Sequence, residues 1–372
     1  MKSSTNKNIM VVFIFFLSIS GVLIGMGLKL DRLPQNTEKR KLAELPSLKF
    51  DIEILRKYPI NLTKYFNDHF CFRNTFVAMN FLIRHNIFNE SPSSKVLLGK
   101  NGWLFLTVDR AIEDYLGITY FEDETLQGIA KSYENKREYL LRKGIRYILV
   151  LAPNKETIYG EWMPDYLFKL RNRSGLDEFT NYLRKHTNVD IIDLRKTLID
   201  NKSREMLYLK TSSTWNDYAA FLAYREIMKP VSQWFPRARA DALNEFNIKR
   251  EEIRGSDLAE MMGGANFFRE QDILLVPKKP RKALKVDFNP YGTHKDPFGM
   301  KMHNTDFPRI IVFRDCFFEK IIPLLSEHFQ YSRYYWQSWN PDTPITEMIN
   351  TVRPDIVIEE KVERYLKLPK SP

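Results

Sequence analysis

From residue 126 onward the sequence alternates between helical and extended apolar patterns, and this alternation constrains the fold more than any other feature of the chain. Ile129, Ala130, Tyr133, Leu140 and Leu141 form a helical stripe that stops at Gly144. Tyr147-Ile-Leu-Val-Leu-Ala152 follows as an unbroken apolar run, the mark of a strand buried on both faces. A helix near Asp177–His186 leads to a second strand, Val189–Leu194. A helix from Asp217 to Met228 should stop before Pro230. Arg309–Phe313, Tyr331–Trp336 and Asp355–Ile358 supply three more strands, separated by helical stretches at 318–329 and 344–350. Repeated strand-helix-strand units imply a parallel sheet between helices, with ligands at the carboxyl ends of the strands.

Residues 254–308 interrupt the pattern and read as long surface loops, among them the basic run Pro277–Lys282 and the stretch 288–305. A long loop beside a strand-end site is either a substrate rim or a solvated segment without a task. Val96–Phe105 reads as a hairpin, because Asn101-Gly102 tolerates the positive φ of a tight turn. At the amino terminus, residues 9–28 are uncharged and mostly apolar, enough helix to cross a hydrocarbon core of ~30 Å. Lys2 and Lys7 precede this run and no small-x-small cleavage site follows, so residues 1–30 are expected to form an uncleaved signal anchor. Lys29, Arg32, Lys39, Arg40 and Lys41 outnumber the cations ahead of the span, and charge alone leaves its orientation open. Residues 31–50 read as a polar tether.

The net charge of +11 suggests an anionic neighbour: acidic polysaccharide, membrane headgroups or nucleic acid. No zinc-finger spacing, RNP-like signature or long basic helix supports nucleic acid. Aromatic content of 13% and apolar content of 44% exclude wholesale disorder. Cys71 and Cys316, the only cysteines, have no metal-type spacing and read most simply as two separate thiols. Nothing in the sequence calls for a cofactor or a metal.

Two segments look like strand-end chemistry, Lys210-Thr-Ser-Ser-Thr-Trp-Asn216 and Phe313-Arg-Asp-Cys-Phe317. They occur in order with Glu38–Pro46, Asp68–Arg73, Gly102-Trp-Leu-Phe105, Pro153-Asn-Lys155 and the tail Pro354–Leu366. Together these segments resemble the exported SGNH-type proteins of the alginate O-acetyltransferase AlgX/AlgJ family. That family usually reads Thr-Asp-Thr-His-Trp at the first segment and Asp-Ser-Phe at the second. Ser212 therefore stands where the family has Asp, Thr214 where it has His, and Cys316 where it has the nucleophilic Ser. The resemblance implies an SGNH-hydrolase-like, flavodoxin-like α/β domain over 51–368, preceded by the transmembrane helix and lying outside the cytoplasmic membrane. It also implies a part in acetylating an acidic exopolysaccharide, with a membrane-bound O-acyltransferase as acetyl supplier.

Ester transfer through serine needs a base within hydrogen-bond reach and a group that orients the base. Ser212 carries no orienting charge and Thr214 accepts no proton near neutral pH, which forgoes the ~10²–10⁴-fold that general base catalysis contributes. A thiol at Cys316 attacks unaided only in electropositive surroundings, and Asp315 would oppose its ionisation if close. Among the histidines, His294 and His303 fall on the proposed rim, His186 and His328 read as solvated, and His69 and His85 as structural. Asn154 can donate to an oxyanion or a sugar hydroxyl, and Lys155 can meet a uronate carboxylate. Trp215 and Asn216, also candidate substrate contacts, suit packing and capping of the next helix. Three readings stay open: a non-catalytic member that binds polysaccharide or the acetylation machinery, an active acyltransferase or esterase using Cys316, and a structural envelope protein.

Overall fold

The computed structural model describes residues 2–28, 42–48, 51–118, 120–303, 306–340 and 342–366. Most of the expected tether, including Lys29, Arg32 and Lys39–Lys41, lies outside the described residues. The chain divides into two compact units, Met1–Ser94 with Ala259–Phe267, and Lys95–Leu258 with Phe268–Pro372. That division sets 51–94 apart from the remainder of the 51–368 stretch.

In the first unit a helix spans Lys2–Gly27. Its segment Ile9–Met26 has a mean hydropathy of 2.7 and is the one helix among the described residues long and apolar enough to cross a membrane. Two further helices follow, Ile52–His69 and Arg73–Phe81. Asp51 caps the first by accepting from the Glu53 and Ile54 N–H groups. Phe81 stacks on Phe267 with ring centroids 5.3 Å apart, which ties the 259–267 segment into this unit.

The second unit opens with an antiparallel pair, β1 (Val96–Leu98) and β2 (Leu104–Leu106), whose turn places Asn101 at φ 53° and Gly102 at φ 77°. Gly supplies that left-handed conformation without strain and Asn tolerates it. The parallel strands begin with β3 (Arg146–Ala152) and β4 (Asp190–Asp193). Next come a separate antiparallel pair, β5 (Phe246–Arg254) with β6 (Arg269–Pro277), and the short strands β7 (Leu284–Val286) and β8 (Phe298–Lys301). The chain then returns to the main sheet with β9 (Arg309–Phe313), β10 (Tyr331–Tyr335) and β11 (Ile356–Val362). The seven-stranded order is β4-β3-β11-β9-β10-β8-β7, parallel from β4 to β10 and antiparallel at β8 and β7.

Alternate residues of β3 enter opposite cores, as strand geometry requires. Ile148, Val150 and Ala152 join the core under the helix Asp217–Trp234, while Tyr147, Leu149 and Leu151 join the one under Asp123–Leu141 and Gly175–His186. This is the α/β architecture expected, with three corrections. The sheet is mixed, and β6, β7 and β8 lie inside 254–308, which reads in sequence as loop. Short or polar strands such as Leu284-Lys-Val286 lack the buried-run signature, so pairing alone defines them. The helix also runs through Pro230 to Trp234, because burial of Ile227, Met228 and Val231 outweighs the loss of one backbone hydrogen bond. Finally, the 318–329 stretch contains only the short helix Ile322–Leu325 between single 3₁₀ turns.

Candidate functional site

The parallel strands β3, β9 and β11 end at the same edge, and each continues directly into chemistry-bearing residues. After β9, Asp315 caps the turn Cys316–Phe318: its Oδ1 accepts from Phe317 N–H at 2.8 Å and its Oδ2 from Val362 N–H at 2.9 Å. The Asp315 N–H donates to Glu360 Oε2 at 2.9 Å. Burial, and for Glu360 also the neighbouring Asp315 charge, push both carboxyls up, Glu360 well above the usual range. Asp315 is therefore close enough to oppose thiolate formation. Burial first, and the Asp315 charge second, push the Cys316 thiol up to about 12, against the opposing pull of Arg364.

Ser212 and Thr214 lie on the loop before the helix Asp217–Trp234. The Thr214 N–H donates to Ser212 Oγ at 3.2 Å, and the two hydroxyl oxygens are 3.4 Å apart. Trp215 Nε1–H donates to the Phe317 carbonyl at 2.8 Å, and its ring meets Phe317 edge-on at 4.9 Å. Thr214 and Cys316 each stand one residue from this contact, so the fold brings the two motif segments together.

The four candidate substrate contacts are largely engaged with the protein itself. Lys155 is buried and its Nζ donates to the carbonyls of Leu104, Lys210 and Ser212 at 2.8, 2.7 and 2.9 Å. All of its N–H donors are used, so it ties the motif loop to β2 and has none left for a uronate. Desolvation lowers its pKa to about 7. Trp215 is buried in the core, and Asn216 caps the following helix through Oδ1 to Ala219 N–H at 3.0 Å. Only Asn154 keeps a ligand-facing possibility. Its Oδ1 accepts from Arg364 at 3.3 Å, which fixes the amide orientation, and its Nδ2 makes no hydrogen bond among the described residues.

The residues that sequence reasoning missed come from the end of β11. Arg364 is 5% exposed; besides Asn154 it faces Asp109 at 3.9 Å, and it stands close enough to Cys316 for its charge to favour the thiolate. Glu363 accepts from Asn154 N–H at 2.9 Å and from Thr157 Oγ1 at 2.6 Å, and burial raises it to about 7. A strand with charged residues on both faces was the available signal, since Glu359 and Glu360 are adjacent and both buried. His328, which reads in sequence as solvated, is buried with Nε2 2.6 Å from the Tyr224 hydroxyl oxygen. His294 meets Trp336 edge-on at 5.0 Å. No histidine stands among the described groups that act on Cys316.

A family model described as an SGNH hydrolase-like domain, acetyltransferase AlgX, matches residues 96–274. The chain is similar to the AlgX/AlgJ proteins. That match includes Ser212 and Thr214 and ends before Cys316. The probable alginate O-acetylase AlgJ of Pseudomonas putida is 27% identical over 230 residues, 59% of this chain and 53% of that protein. The chain thus spans about half the length of this curated relative. Among solved structures, Bacillus cereus PatB1 with a sulfonyl adduct aligns at a TM-score of 0.54 and 15% identity over 73% of this chain and 94% of that one. A DHHW family protein from Eubacterium siraeum aligns at 0.50 and 12% identity, over 72% and 93%. At such identities these structures establish the shared α/β fold alone.

Proposed function

We propose that this chain is a non-catalytic AlgX/AlgJ-like protein, anchored by Ile9–Met26 on the outer side of the cytoplasmic membrane, that binds acidic exopolysaccharide during its modification. In this reading Cys316, Ser212 and Thr214 occupy the three positions of a former catalytic triad, and a membrane-bound O-acyltransferase is the partner that supplies acetyl groups. The observation that carries it is the set of side chains at the site: the Ser212 and Thr214 hydroxyl oxygens 3.4 Å apart on the motif loop, and a Cys316 thiol whose ionisation burial and Asp315 both oppose. Neither hydroxyl accepts a proton at neutral pH, and a protonated thiol is a poor nucleophile.

The test is acetyl release from an activated acetyl ester by the full chain, its Cys316→Ala variant, and a combined Ser212→Asp, Thr214→His, Cys316→Ser variant. The wild type and Cys316→Ala should be equally inert, and the combined variant should turn over. Wild-type turnover that disappears with Cys316→Ala would overturn the proposal in favour of an active thiol enzyme.

A further inference from the structure

Arg314 is 3% exposed, yet no carboxylate of the described residues lies within ion-pair distance of it. Its guanidinium rests over the Trp336 ring at 4.5 Å. Among the described residues its two terminal nitrogens reach only backbone carbonyls, those of Asp315 at 3.4 Å and His294 at 3.2 Å, and its buried Nε has no hydrogen-bond partner. A guanidinium stays charged in a protein, and an uncompensated buried charge with an orphaned donor calls for a counter-ion. The Asp315 carboxyl is held by the Phe317 and Val362 N–H groups, while Glu360 accepts the Asp315 N–H on Oε2 alone, keeps Oε1 without a hydrogen bond among the described residues, and acts on Arg314 through space with its own carboxyl pushed well up by burial. The remaining nearby acid, Glu319, is exposed on the rim and acts on Arg314 through space.

Arg314 lines a cavity of about 200 Å³ under the 288–298 loop. Lys285 stands in the same lining, its Nζ over Phe288 at 5.0 Å and Phe298 at 4.6 Å, without an ion pair among the described residues. Asp296, also in the lining, turns its carboxylate back onto the Thr293 N–H at 2.7 Å. The cavity falls below the 300–1,000 Å³ typical of sites for drug-sized ligands, so it suits one ring and its substituent. A planar guanidinium takes a carboxylate through paired N–H bonds, and the flanking aromatic rings suit a small saccharide ring.

We propose that Arg314, Lys285 and the 288–298 loop form a subsite for the carboxylate of a single uronate unit, at the carboxyl end of β9. The proposal rests on the reading that the chain binds acidic glycan, and it specifies where one acidic unit is held. Glu319 competes with the ligand for the same cation.

Calorimetric titration of the detergent-solubilised full chain with a short oligouronate, and with its carboxyl-reduced counterpart, tests this. The charged saccharide should bind at least about tenfold more tightly than the reduced one. Lys285→Ala should weaken binding and Glu319→Gln should tighten it by about threefold or more; both side chains are exposed, so neither change threatens folding. Arg314→Lys should lose about tenfold, because the fork is replaced by a point charge. Oligouronate binding that is equal in all four proteins would overturn the subsite and leave the glycan-binding reading standing. Failure of the wild type to bind either saccharide would overturn both.

Discussion

Alkylation of Cys316 measures the property on which the functional reading depends. With its thiol pushed up to about 12, roughly one molecule in 10⁴ carries the thiolate at pH 8, against about one quarter of an ordinary cysteine with pKa ~8.5. The population deficit is about 2,500-fold. A more basic thiolate is intrinsically more nucleophilic, with a Brønsted slope of ~0.45, and ~3.5 pH units then restore about 40-fold. The net expectation is iodoacetamide labelling roughly 60-fold slower than an unhindered peptide thiol, followed by mass spectrometry of the peptide that carries Cys316. The rate should keep rising with pH beyond 10 instead of levelling near 9. Asp315→Asn removes the largest charge opposing ionisation and should accelerate labelling, whereas Arg364→Gln removes the favourable charge and should slow it. Labelling of wild type at or above the peptide rate at pH 8 would refute the reasoning and return Cys316 to the role of nucleophile.

Two further predictions concern the scaffold around the site. Glu363 titrates at about 7 when folded and near 4.5 when unfolded, so the native state binds the extra proton between those values and stability should fall as pH rises from 4.5 to 7. The span of about 2.5 units corresponds to roughly 3 kcal/mol at most, and urea unfolding of Glu363→Gln should show that slope flattened; an unchanged slope would discount the burial argument. Trp215→Phe strands the buried Phe317 carbonyl and should cost roughly 1–3 kcal/mol, read as a lower urea midpoint at constant m-value. A midpoint equal to wild type would mean that this hydrogen bond does not hold the two motif segments together.

The strands that proved legible are those whose residues are buried on both faces. Tyr147–Ala152 and Arg309–Phe313 advertise themselves by unbroken hydrophobicity, and both lie in the centre of the sheet. At the antiparallel edge the burial requirement is weaker, so Leu284–Val286 and Phe298–Lys301 carry no comparable signal. The same distinction applies to the candidate site. The residue types at Ser212, Thr214 and Cys316 are visible in the sequence, but the fate of Lys155 depends on three carbonyls contributed by Leu104, Lys210 and Ser212.

By itself, the sequence determined the alternation of helix and strand, the apolar amino-terminal span, the Asn101-Gly102 turn, and the absence of an ionisable side chain at Ser212 and Thr214, because periodicity, backbone preference and side-chain chemistry are local properties. Tertiary structure alone decided that Asp315, Glu360 and Arg364 converge on Cys316, that Lys155 is consumed as a strut, and that Arg314 is buried without an ion pair among the described residues. Those outcomes depend on which strand ends meet, and a charge or a desolvation acts across space between residues that the chain order keeps far apart.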